Sequence, residues 1–337
     1  MDAPVSLEDH LRHHPDDERA WAVYGDVLEG LGDARGELIR LEQQLGALKG
    51  EGREKQLKAI AALVQKHKKT WEGAAPHGKE VGVSWRHGFI TGLALRWTDE
   101  TAPALQRFFA SPDARLCHTL AITGFGEDPG DVDNEEFEEE NFEDDENGYP
   151  RVKADPKVVK AAMEGVLALD LSRVVTLSFA YCQMQKPGAE VLAAATSLGG
   201  LEQLDLRYNG LGGDGLGHLL DAKFLPSLRA LHLQANELGP KAAAVLSGAR
   251  LPKLIALDLR HNPLQAEGAT ALANAPFLPQ LQQLWLARHD VGPQGALTLA
   301  GSKLAPPLRS IWKAIHVDPA PWQDEKLIKE VREDAED

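Results

Sequence analysis

Cysteine is nearly absent: the 337-residue chain has only Cys117 and Cys182, each set in an apolar run. Two such thiols support neither a disulfide framework nor a zinc site, and they read as small buried hydrophobes in a reducing compartment. No stretch approaches the ~18 uninterrupted apolar residues of a transmembrane helix. The opening residues, MDAPVSLEDHLRHHPDDE, lack the basic-then-apolar order of an export signal, so a cytoplasmic location is expected. Nucleotide-binding GxxxxGK[ST], hydrolase GxSxG and metalloprotease HExxH motifs are all missing, so no catalytic residue, metal or cofactor is expected. Basic residues are in deficit too, with 36 Lys and Arg against 51 Asp and Glu. That balance argues against a nucleic-acid partner, which needs a cationic surface to displace counterions.

The acidity is local. Thirteen acids and no Lys or Arg lie between Glu127 and Glu146, and they account for most of the formal net charge of −15. Aromatic residues are spaced through and after this block, so Glu136, Phe137, Glu139, Phe142, Asp144, Asp145 and Tyr149 form a candidate surface for a basic partner. Dense like charge suits a passive solvated loop equally well, and composition leaves both readings open. The D-x-D-x-D-G order of a calcium loop is not present.

Self-similarity is the main signal. LEQLDLRYNGL from Leu201 has the form LxxLxLxxNxL, which returns as LRALHLQANEL from Leu228, LIALDLRHNPL from Leu254 and LQQLWLARHDV from Leu281. VVTLSFAYCQM from Val174 is an earlier copy, with Cys182 in the place of Asn. The second leucines, Leu177, Leu204, Leu231, Leu257 and Leu284, recur at 27, 27, 26 and 27 residues. Leu120 and Leu93 extend the phase backwards, and the extra length between Leu120 and Leu177 holds the acidic block as an insert at about 126–150. In LxL the two leucines share one side of a short strand and pack inward, while their neighbours face out. Asn209, Asn236 and Asn262 are placed to satisfy backbone groups of adjacent coils. Intervening stretches such as GPKAAAVLSGA read as helices packed closely on the strands.

The period with a full helix resembles the ribonuclease-inhibitor-like leucine-rich repeats. That resemblance implies an α/β leucine-rich-repeat solenoid: a horseshoe arc with parallel strands on the concave side and helices on the convex side. Its outward strand positions are Ser178 and Ala180, then Asp205, Arg207 and Tyr208, then His232 and Gln234. Asp258, Arg260 and His261 follow, and then Trp285 and Arg288. Trp, Tyr and Arg dominate binding hot spots, so these positions are the candidate partner-binding face. Trp285 has an alternative use, packing on Arg260 and Trp312 to close the solenoid.

Before the repeats, residues 5–70 read as helices. Asp16, Asp17 and Glu18 suit a helix start, Gly32 ends that helix and Asp33 caps the next. A basic helix over 53–69 follows a break at Gly50–Gly52, and VGVSWRHGFITGLAL is strand-like. The run HPDDERAWAVYGDVLEGLGDARGELIRLEQQL resembles the bacterial repeat-companion domain. The matching residues are Pro15-Asp16-Asp17, Tyr24-Gly25-Asp26-Val27-Leu28-Glu29, Gly32-Asp33 and Arg35-Gly36-Glu37-Leu38-Ile39-Arg40-Leu41. Trp85-Arg86-His87-Gly88-Phe89-Ile90 is similar to that family's junction with its repeats, although Gly25 and Val27 depart from its pattern. The resemblance implies an all-helical N-terminal cap over 1–80, a solenoid over 81–315, and a C-terminal cap and charged tail over 316–337. It implies no catalytic activity.

The expected function is a non-enzymatic protein–protein interaction scaffold. The alternatives are an inhibitor or immunity-type regulator of a basic partner enzyme and, by a weaker analogy, a small-GTPase regulator. His10, His13 and His14 share a helix face with Asp9, a spacing open to metal but more ordinary for exposed histidines. His87 is read as structural.

Overall fold

The computed structural model describes residues 3–124, 142–144, 150–152 and 154–304. These form two compact units, one made of the described residues up to Ile122 with Ala168–Leu177, the other of the remainder.

The first unit begins with α1 (Ala3–His13), α2 (Glu18–Gly30), α3 (Ala34–Gln44) and α4 (Gly50–Glu72). Asp17 starts α2 by accepting hydrogen bonds from the amides of Arg19 and Ala20, each at 3.0 Å. Gly32, at φ 74°, turns the chain out of α2, and Asp33 starts α3 by accepting from the Arg35 amide at 3.0 Å. The two helices then cross at Gly36. A Cβ there would lie 2.6 Å from both the Gly25 carbonyl oxygen and the Glu29 nitrogen, which are backbone atoms that cannot rotate away. Gly36→Ala is therefore expected to cost about 3 kcal/mol through forced separation of α2 and α3, measured by urea unfolding. Gly30→Ala, where nothing lies within 4 Å, is the neutral control.

Two sequence expectations are refined here. The break at Gly50–Gly52 is confined to extended Lys49 and Gly50, whose φ of 56° lies in the left-handed region that favours glycine, and α4 is longer than 53–69. The strand-like run 81–95 is two strands rather than one, β1 (Val81–Arg86) and β2 (Phe89–Arg96), paired antiparallel with an irregularity at Ser84/Trp85. His87 (φ 51°) and Gly88 (φ 77°) make the two-residue turn between them, whose positive dihedrals match the twist of a hairpin.

α5 (Thr101–Phe109) and a 3-10 turn lead to β3 (Thr119–Thr123). β4 (Phe142–Asp144) and β5 (Pro150–Val152) pair antiparallel as a separate two-stranded sheet, and α6 (Pro156–Leu167) follows. β6 (Thr176–Ser178) then adds beside β3: the amides of Val175 and Thr176 both donate to the His118 carbonyl, at 2.8 and 3.0 Å.

In the second unit strands and helices alternate: α7 (Gln185–Ala194), β7 (Gln203–Asp205), α8 (Gly212–Leu219), β8 (Ala230–His232), α9 (Pro240–Ser247), β9 (Ala256–Asp258), α10 (Gln265–Ala273), β10 (Gln283–Trp285) and α11 (Arg288–Ala300). β7 to β10 are parallel and in register, so Leu204, Leu231, Leu257 and Leu284 stand in one row. That row and the next, Leu206, Leu233, Leu259 and Leu286, are buried and meet the helix layer. Successive helices pack on one another from α7 to α11. Each presents a small residue at the same place in its coil: Gly188, Gly215, Ala242, Gly268 and Gly295. A Cβ on Gly268 would already sit 3.1 Å from Ala243, so the helices could come no closer with a larger residue there.

Candidate partner-binding face

The turn after each strand fixes the geometry of this face. Asn236 is fully buried, and its Oδ1 accepts from the amides of Asn209 (3.2 Å) and Leu211 (3.3 Å) while its Nδ2 donates to the Leu206 carbonyl (2.8 Å). Asn262 repeats this one coil later, serving Asn236 and Leu238 and donating to Leu233. Asn209 does the same for Cys182 and Met184 and donates to Phe179. Cys182 replaces Asn with a buried thiol that donates to Ala180 O and takes the Gly124 amide; burial pushes its pKa up, which keeps it a neutral thiol.

With the turns stacked, the residue before each ladder position is held in the left-handed region: Tyr181, Tyr208, Ala235 and His261, at φ 52–60°. The Tyr181 and Tyr208 rings stack, with centroids 4.5 Å apart and planes 9° from parallel. Gln234 Nε2 donates to the Tyr208 hydroxyl at 3.2 Å. Tyr181 is 49% exposed and was not among the expected residues, although it lies one repeat before Tyr208.

Two arginines are locked in the same way, two coils apart. Arg207 donates through Nε (2.9 Å) and Nη2 (2.8 Å) to the two carboxylate oxygens of Asp205. Arg260 makes the equivalent fork on Asp258, at 3.0 and 2.7 Å. These bidentate contacts hold both guanidiniums above their ordinary pKa. Asp258 sits at an outward strand position yet is only 2% exposed, covered by the Arg260 fork. Burial alone would raise its pKa, but facing His232 and Arg260 outweigh it and hold it down to about 2. His232 Nδ1 stands 3.9 Å from that carboxylate, beyond hydrogen-bond range, and its ring is 6.0 Å from that of half-buried Trp285.

The last described coil departs from the pattern. His289 occupies the ladder position in sequence, but the neighbouring Asp290 accepts from the amides of His261 and Ala287, each at 2.9 Å. Burial pushes the Asp290 pKa up to about 6, despite those two donors and His289 at 3.3 Å. A carboxyl raised on folding costs stability as pH rises from its unfolded value near 4 through 6. Two units correspond to about 3 kcal/mol. Asp290→Asn keeps the acceptor without the charge, so it is expected to be about 2 kcal/mol more stable than wild type near pH 8 and indistinguishable near pH 4. Urea titrations at both pH values check this; equal destabilisation at both would show that the carboxylate is needed as such.

Arg288 lies outside the strand, in the first turn of α11, which is interrupted at Gly292 (φ 63°). Ala180, expected outward, is buried. Of the acidic insert, Phe142 and Asp144 lie in β4, while Glu136, Phe137, Glu139, Asp145 and Tyr149 fall outside the described residues, as do Trp312 and the tail. The N-terminal histidines make local contacts: His10 with Asp17 at 2.9 Å and His13 with the Asp9 carbonyl at 3.0 Å.

In the first unit, the residues that carry the N-terminal resemblance hold its helices to the β1–β2 hairpin. Arg35 and Arg115 lie over the buried Phe89 ring at 4.7 and 4.8 Å. Arg35 also donates to the Gly88 carbonyl at 2.8 Å, and Arg115 reaches Asp33 at 3.1 Å. Arg86 binds Asp16 and Glu18, and His87 hydrogen-bonds Glu42 while meeting Trp21 edge-on. These polar side chains are used within the fold.

A parallel ladder with buried Leu rows, an Asn column at each turn and a helix per coil defines an α/β repeat of the leucine-rich kind. A leucine-rich-repeat family model matches residues 201–219 and 250–273, two segments on this ladder. No curated protein matches the chain. Leucine-rich repeats commonly mediate protein–protein interaction. Among the described residues, no helix is long and apolar enough to cross a membrane.

Proposed function

We propose that the strand face of the second unit, taken as the concave side of the repeat, binds a folded protein or peptide. In this reading the chain is a non-enzymatic scaffold of the cytoplasm, with no cofactor, nucleic acid or membrane involved. The observation that carries it is the immobilised guanidinium pair. Arg207 and Arg260 are fixed by their own strands yet remain 38% and 31% exposed, so a partner would find them already ordered and little side-chain entropy would be lost. The Tyr181–Tyr208 stack, Gln234, His232 and Trp285 complete an anchor set of the types that dominate hot spots. Residues 1–80 then serve as the N-terminal cap, 81–315 as the solenoid, and 316–337 as closing cap and tail. The acidic insert offers a second contact surface.

The test is capture from native lysate with wild type, Arg207→Ala/Trp285→Ala, and a deletion of residues 127–148. A specific partner retained by the deletion but weakened at least ~10-fold by the face variant supports the reading. A partner that the face variant keeps, and the deletion loses, overturns it. Should the captured partner be a basic enzyme that is silenced when bound, the inhibitor reading takes over.

A further inference from the structure

We propose that the outer face of α4 docks the acidic segment 127–146 of a second copy of this chain, joining two copies reciprocally into a dimer. The roll of α4 is fixed: Gln56 donates to the Leu41 carbonyl at 2.6 Å, Arg53 to Leu45 at 3.3 Å, and Trp71 is buried with His67 stacked on it. The opposite face therefore points to solvent, and helical spacing puts Lys55, Lys58, Lys66 and Lys69 along it, all exposed. From Lys55 to Lys69 this stripe runs about 21 Å. Lys68 pairs with Glu72, whereas none of the four stripe lysines makes an ion pair among the described residues, with Glu51 and Glu54 one turn before Lys55 and Lys58.

Between them lie exposed Ala59 and Ala62, which leave the surface flat enough for an aromatic side chain to settle between lysine stems. A cationic stripe is out of keeping with a chain of net charge −15. Its complement is on the same chain: thirteen acids in 127–146 without a single Lys or Arg, interspersed with Phe137 and Phe142. Each copy carries one stripe and one acidic segment, so a two-fold exchange satisfies both and closes the assembly.

Sedimentation equilibrium of the full chain tests this. At ~50 mM salt the expected mass approaches twice 36.7 kDa, and at ~500 mM salt it falls toward one copy as the charges are screened. Lys55→Glu/Lys58→Glu/Lys66→Glu/Lys69→Glu and a deletion of 127–146 are each expected to be monomeric at low salt, with unchanged far-UV circular dichroism. Mixed together, these two variants restore one of the two contacts, so a weaker, salt-sensitive heterodimer is expected. A monomeric wild type at every concentration overturns the proposal. So does a dimer that either variant leaves intact. A monomer whose stripe binds duplex DNA or anionic vesicles would reassign the surface.

Discussion

Asn236→Ala is expected to destabilise the second unit by about 4 kcal/mol, because two buried amides lose their acceptor together and each orphaned group costs about 1–3 kcal/mol. Those amides belong to Asn209 and Leu211; the Leu206 carbonyl loses one of its two side-chain donors and keeps Asn209 Nδ2 at 2.9 Å. Water cannot substitute easily, since Asn236 is fully buried between coils. Asn236→Cys, the exchange the chain itself carries at Cys182, is expected to lose less, because a thiol retains a weak acceptor and donor. Urea unfolding followed by hydrogen exchange of the 204–211 amides would measure both. Gln234→Ala, two residues away and bonded only at its tip to Tyr208, provides the contrast and is expected to lose under about 0.5 kcal/mol. Equal losses for Asn236→Ala and Gln234→Ala would mean that the ladder is not what holds the coils in register.

Phe89→Ala should be comparably damaging in the first unit, at about 4 kcal/mol. Its ring is buried among Trp21 and Tyr24, with centroids at 6.0 and 5.7 Å, and two guanidiniums lie over it. Truncation opens a cavity and also removes the π face that partly compensates two half-buried cations. Phe89→Leu restores most of the volume but none of the π surface, so it should fall between wild type and Phe89→Ala. Urea unfolding followed by tryptophan fluorescence, to which Trp21 and Trp71 contribute among seven tryptophans, ranks the series. If Phe89→Leu were neutral, packing alone would explain the joint and the arginines would contribute nothing through the ring.

Much of the fold was legible because its determinants are periodic. One repeat of leucine spacing places both buried Leu rows, and Asn recurs where each turn must satisfy its neighbours. Helix ends at Gly32 and Asp33 were legible because capping chemistry is local. The β1–β2 hairpin was not, because the two-residue turn His87-Gly88 sits inside an uninterrupted strand-like run. Asp290 was missed because it sits one position beyond the expected ladder residue, and a shifted backbone brings its carboxylate into the Asn role. Alternation placed Asp258 outward, but it is buried, because burial depends on what folds over a position, here its own Arg260. Tyr181 needed only the repeat spacing carried one coil further back. The motif residues at 15–41 and 85–90 carried the resemblance, and in the structure Asp16, Asp33, Arg35, Arg86 and His87 form ion pairs and hydrogen bonds within the first unit.

The most direct measurement of partner binding is site-specific photo-crosslinking in cell extract, with the crosslinker placed at Gln234 on the strand face or at exposed Lys241 on α9. One discrete protein adduct at Gln234, absent at Lys241 and competed away by unlabelled wild type but not by Arg207→Ala/Trp285→Ala, is the expected result. The same adduct at Lys241, or its undiminished formation in the presence of wild-type competitor, would contradict binding through the strand face.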